Sequence, residues 1–133
     1  MYNTIGSISF DHPDPSIFTV LSSRSSLDGM AALDLVVFPT RWLVADNTFK
    51  PPYFHRNCMS EFLGNICGSS DAKGPSFQPG CTSLSGCMTP HGPDSDSYEG
   101  FMKSEQKPFK IPESDLLFMF ESGYLLKTSK YAF

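Results

Sequence analysis

Two imidazoles and one carboxylate have the makings of a metal site: His55 and Glu61 in His55-Arg56-Asn57-Cys58-Met59-Ser60-Glu61, and His91 in Thr89-Pro90-His91-Gly92-Pro93-Asp94. Two histidines and a carboxylate on one face of an iron(II) ion leave the opposite face open. An oxygenase needs those free positions for its organic substrate and for dioxygen. The chain has 3 histidines, and two of them belong to this set. The third, His12, sits in Asp11-His12-Pro13-Asp14-Pro15, a stiff loop able to aim it at the same place.

The spacing constrains the elements that must hold these groups. His55 and Glu61 are six positions apart, which on one strand, at ~3.3 Å per residue, separates them by roughly 20 Å. On a helix, six steps of ~100° turn them to opposing faces. A shared ion therefore requires a bend between them, which Asn57-Cys58 can form, and His91 must arrive from another strand or loop.

Eleven prolines and ten glycines cut the sequence into short pieces, and no capped helical pattern runs for a dozen residues. Met30 to Phe38 reads as a buried strand, apolar on both faces apart from Asp34 and stopped by Pro39. Leu116 to Phe120 reads as a second, and Tyr124 to Thr128 as its hairpin partner across Ser122-Gly123. Shorter strands are expected at Ile17 to Leu21, Arg41 to Val44, Phe62 to Ile66 and Ser83 to Met88. Gly68 to Pro75 and Gly92 to Lys110 read as polar, exposed loops. No internal repeat is present. Many short strands joined by Gly/Pro turns predict an all-β sandwich or barrel.

At 133 residues with 40% hydrophobic content, the chain, 1–133, is one domain at most, with enough apolar side chains for a core. Its net charge of -4, without a basic cluster, argues against nucleic acid as a partner. No apolar run approaches the ~20 residues that cross a bilayer, so no membrane partner is expected. Met1 to Phe10 lacks the basic and apolar regions of a secretory signal. Cys58, Cys67, Cys81 and Cys87 contain no C-x-x-C pair, which weakens a structural zinc site. Free thiols in a reducing cytoplasm are the expectation.

The first motif of cupin jelly rolls reads His-x-His, three or four residues, Glu, six residues, Gly. His55-x-Asn57, Glu61 and Gly68 resemble it, with Asn57 in place of the second histidine. Longer segments narrow the resemblance. Tyr2 to His12, Arg41-Trp42, Phe49 to Phe62, Met88 to Asp94 and Phe118-Met119-Phe120-Glu121-Ser122 are similar to homogentisate 1,2-dioxygenases. The resemblance covers nearly all of the chain.

It implies a cupin-like jelly roll (double-stranded β-helix), partial relative to the family's longer chains and incomplete at both ends, so that this sequence is expected to be a fragment. It implies one Fe(2+) held by His55, Glu61 and His91, with His12 as the catalytic base and His91 also touching the substrate. The implied reaction is ring opening of homogentisate by O2 to maleylacetoacetate, in tyrosine and phenylalanine breakdown. The implied assembly is a homo-oligomer, trimers paired into hexamers. Two departures touch the implied substrate pocket: Ser70 stands where a tyrosine is expected, and Ser85 where a histidine is expected. Cys81 and Thr82 replace glycines nearby. A metal-binding cupin without dioxygenase turnover is the competing reading.

Each residue also has a plainer role open to it. Glu61 precedes Phe62-Leu63, where a buried carboxylate is costly without a partner such as a metal. Arg56 and Asn57 either orient the ligands or form a surface ion pair and a turn. Cys58 is expected to be a small buried side chain rather than a ligand, because thiolate favours zinc. Trp42, Tyr53 and Phe54 either line an aromatic pocket or pack in the core.

Overall fold

The computed structural model describes residues 18–43, 54–70, 72–105 and 107–132. His12 and Tyr53 lie outside the described residues, as does the Trp42 side chain. Within them are seven strands, β1 (Phe18–Arg24), β2 (Ala31–Phe38), β3 (Trp42–Leu43), β4 (Ser60–Cys67), β5 (Thr82–Ser85), β6 (Phe109–Lys110) and β7 (Leu116–Ser122), and one α-helix, α1 (Ser95–Lys103). Five strands form an antiparallel sheet in the order β1-β2-β7-β4-β5, while β3 pairs with β6. The chain is all-β, as the short strands and Gly/Pro turns predict, and its antiparallel sheet is consistent with the cupin-like fold that the resemblance implies.

β7 occupies the middle of the sheet, paired with β2 on one side and β4 on the other. Its alternation explains both faces. Leu117 and Met119 point to a buried face, together with Val36 of β2, which is fully buried. Phe118 and Phe120 point to the other face, where their rings meet at 5.6 Å and Phe62 adds a third ring 6.1 Å from Phe118. Gly64 faces Phe118 across the β4–β7 pair, and a Cβ there would lie 2.3 Å from the ring. The glycine is therefore what lets the aromatic side of the sheet close.

The buried face carries its strand carboxylates in a single transverse row. Asp34 pairs with Glu121, Glu121 with Glu61, and Glu61 with Ser85. The next row inward is apolar: Val36, Met119 and Leu63. Glu61 thus sits where the apolar core gives way to an acidic rim.

Three expectations are corrected. Gly92 to Lys110 is not all loop: it contains α1, nine residues long, started by Asp94, whose side chain accepts the Ser97 amide. The helix buries none of its residues. Its local supports are that cap and the Glu99–Lys103 ion pair, so no apolar periodicity marks it. Tyr124 to Thr128 is not a strand. Both edges of β7 are already taken by β2 and β4, leaving no edge for a hairpin partner. The strand expected at Ser83 to Met88 also ends early, at Ser85. There the chain turns through Gly86–Thr89, with Met88 at φ 61°. Among the described residues, no helix is long and apolar enough to cross a membrane.

Candidate metal centre

The two histidines meet through the backbone first. An isolated antiparallel bridge joins them, the His55 amide donating to the His91 carbonyl at 2.9 Å and the His91 amide returning to His55 at 3.0 Å. Bridge partners project to the same side, and the two rings stand 4.4 Å apart, edge to face. Gly92 makes room for this junction. A Cβ on it would lie 2.6 Å from the Phe54 ring, which itself leans on Tyr98 of α1 at 5.8 Å.

The chain then bends at Cys58 and Met59 before entering β4. Asn57 makes the bend by accepting the Met59 amide on its side-chain oxygen at 3.0 Å, a local Asx turn. The Asn57 carbonyl takes the Met88 amide at 2.8 Å, tying the bend to the turn that leads to His91. Glu61, the second residue of β4, comes up beside both rings. Its Oε2 lies 3.0 Å from His91 Nε2 and its Oε1 4.0 Å from His55 Nε2. The six-residue gap is bridged by a turn, and His91 comes from a separate segment, as the spacing requires.

Donor atoms of His55, Glu61 and His91 all lie within 4.8 Å of one another. Atoms held about 2.1 Å from a common ion stand about 3 Å apart at right angles and about 4.2 Å apart when opposed, so the set fits a transition-metal ion. The hydrogen bonding points the same way. His91 Nδ1 lies 2.8 Å from the Thr89 carbonyl, which can only accept, so Nδ1 carries the proton. A neutral ring would then turn its Nε2 lone pair toward a carboxylate oxygen 3.0 Å away. Two lone pairs at that distance require a second proton on the ring or a cation between them.

The acidic row strengthens the case for a cation. Glu121 faces Glu61 directly across the β4–β7 pair, and like charges so opposed destabilise a sheet. Burial, then the charges of Glu61 and Asp34, hold the Glu121 carboxyl above its ordinary range. Glu121 was not singled out from the sequence. Its partner is sixty positions away, and only strand register brings the two together.

The other expected residues divide. Ser85 lies on β5 opposite Glu61, at the site. Ser70 lies in the following loop, its hydroxyl accepting the Ala72 amide at 3.3 Å. Arg56 is exposed. Cys58 is exposed and not buried as expected, because it rides on the outside of the bend; all four cysteines are free thiols. Phe54 is 60% exposed, packing on Gly92 and Tyr98 rather than in the core. Asp94, Lys73 and Ala72 brace the segment after His91. Lys73 Nζ donates to the Gly92 carbonyl at 3.3 Å, and the Asp94 amide donates to Ala72 at 3.2 Å.

Comparison with known proteins gives this geometry its family. The chain is 58% identical over 132 residues to a homogentisate 1,2-dioxygenase of Dictyostelium discoideum, covering 99% of this chain and 31% of that protein. It is 54% identical over 131 residues to the protein of that name from Pseudomonas savastanoi pv. phaseolicola, covering 98% of this chain and 30% of that one. The chain therefore spans under a third of the relatives it matches. A sequence model described as homogentisate 1,2-dioxygenase C-terminal matches residues 1–133. Matched throughout, the chain belongs to the homogentisate 1,2-dioxygenase C-terminal family.

Proposed function

We propose that this chain is the iron(II)-holding part of a ring-cleaving dioxygenase that converts homogentisate and O2 to maleylacetoacetate in tyrosine and phenylalanine breakdown. One observation carries the reading: the donors of His55, Glu61 and His91 converge within 4.8 Å, in a chain that the family's sequence model matches end to end. These three residues are the proposed iron ligands. Iron(II) bound there would supply neighbouring open positions for the substrate phenol oxygen and for dioxygen. His91, its ring anchored by the Thr89 carbonyl, is also the proposed substrate contact. His12 is the proposed base, an imidazole taking the phenolic proton near neutral pH. The protein is proposed to act in the cytoplasm as a homo-oligomer, trimers pairing into hexamers, with a small aromatic acid and O2 as its partners and neither nucleic acid nor membrane among them.

A metal-binding cupin without turnover is the second reading. Ser70 and Ser85 favour it, because each stands where the resemblance expects a larger side chain, and Ser85 faces Glu61 across the β4–β5 pair. Reconstituting the purified chain with iron(II) and ascorbate, then adding homogentisate in air, separates the two. Maleylacetoacetate absorbance with matching oxygen uptake supports the dioxygenase. Stoichiometric iron without product leaves the metal-binding reading.

A further inference from the structure

Asn57 is held between two carboxylates. Its Nδ2 donates to Glu61 Oε1 at 2.9 Å and to Glu121 Oε1 at 3.4 Å, while its Oδ1 accepts the Met59 amide at 3.0 Å. The three contacts leave the amide one orientation. Flipped, it would set its oxygen against two carboxylates and its NH2 against a backbone N–H. Both N–H bonds have carboxylate acceptors, and the acceptor on β7 keeps the group from rotating away from Glu61.

The consequence falls on which Glu61 oxygen is free. Oε1 is tied by the amide, and Oε2 is the oxygen 3.0 Å from His91 Nε2. We propose that Asn57 is a positioning residue that limits Glu61 to one-oxygen coordination, presenting Oε2 to the metal while Glu121 steadies the amide from behind. The inference rests on the metal-ligand reading of His55, Glu61 and His91. A carboxylate chelating through both oxygens would fill an additional coordination position. Held to one oxygen, the three side chains would leave more of a bound ion's positions open to other ligands. The Asx turn and the carboxylate clamp are thus separate duties of one side chain, on its oxygen and its nitrogen respectively.

Those duties can be separated by substitution. Asn57→Ala removes both, whereas Asn57→Ser keeps a side-chain oxygen able to accept from Met59, and so the turn, but is too short to clamp the two carboxylates and adds no charge beside them. Cobalt(II) is the probe, because its visible spectrum reports coordination number and ligand set without any turnover. Titrated into the 133-residue chain, cobalt(II) is expected to bind N57A about 10–100-fold more weakly than the parent. Both variants are expected to lose the parent's spectrum. Wild-type affinity and an unchanged spectrum in both N57A and N57S would overturn the proposal. Should N57A fail to fold, the spectrum of N57S decides alone, since a residue needed only for the turn tolerates serine. A parent chain that binds no cobalt(II) defeats the metal reading itself, before any variant is compared.

Discussion

At residue 61 the site needs charge more than shape. Glutamine at that position would keep the length of the side chain and could still accept from Asn57 through its carbonyl. It would remove the only carboxylate among the three candidate ligands. Glu61→Gln is therefore expected to weaken iron(II) binding by more than the roughly 10–100-fold that losing an outer partner costs. Equilibrium dialysis followed by iron assay measures it; stoichiometric iron in E61Q would sink the three-ligand reading. The three ligand candidates and the bend between two of them were legible in the sequence, because residue type and a six-position gap are local facts. Asn57 could be read as a turn residue or an orienting group, and the structure makes it contact both the turn and Glu61. Glu121 was not legible at all. It precedes Ser122 at the end of an apolar strand, and nothing local says that β4 will bring a second carboxylate to face it.

Among the elements, two short segments hold the histidines in register, and each can be loosened separately. Gly92→Ala would drive a methyl into the Phe54 ring beside the His55–His91 bridge, whose contact would be 2.6 Å. Overpacking of this kind costs about 1–3 kcal/mol, and the expected signature is a lowered unfolding temperature together with weakened iron binding. Gly64→Ala is the control, since it overpacks against Phe118 on the opposite face. It is expected to lower stability by a similar amount while the folded fraction still binds iron. Asp94→Ala removes the cap of α1, at a cost of about 1 kcal/mol. The backbone amide of Ser97, then the Ser97 side chain and the Gly74 amide, hold the Asp94 carboxyl below its ordinary value of 3.8. A depressed carboxylate stabilises the fold above that value, and its contribution is lost as pH falls through the lower folded value. Thermal denaturation of D94A and parent should therefore differ at neutral pH and converge in acid below 3.8. A gap that persists there would mean the cap's carboxylate charge is not what stabilises α1. The main strands β2, β4 and β7 were legible from their apolar runs. The helix was not, because a cap and one ion pair leave no periodic trace, and Tyr124 to Thr128 misled because strand-like residues cannot pair with an edge already filled.

At the scale of the molecule, the described residues form a thin core. Among the described residues, only Val36, Ile111, Leu117 and Met119 are buried hydrophobics, while Leu21, Leu125, Tyr124 and Tyr131 are between 67% and 99% exposed. With so little apolar burial, the bridge that joins His55 to His91 is a large share of what ties the segment before β4 to the turn after β5. A cation shared by His55, Glu61 and His91 would add a further link among three segments already joined by backbone bonds, the Asn57 clamp and the Glu61–His91 contact. Binding to the folded state alone stabilises by about 2.7 kcal/mol when free metal stands at 100 times its dissociation constant. For a chain of this size that corresponds to a rise in Tm of roughly 10 °C. Scanning calorimetry with iron(II) under anaerobic conditions, then with excess chelator, is expected to raise and restore Tm by that amount. The H55A and H91A variants should unfold at the same temperature with and without iron. An equal rise in those variants would assign the stabilisation to some other part of the surface. A parent chain indifferent to iron would mean the acidic row and its two imidazoles are balanced by protons instead.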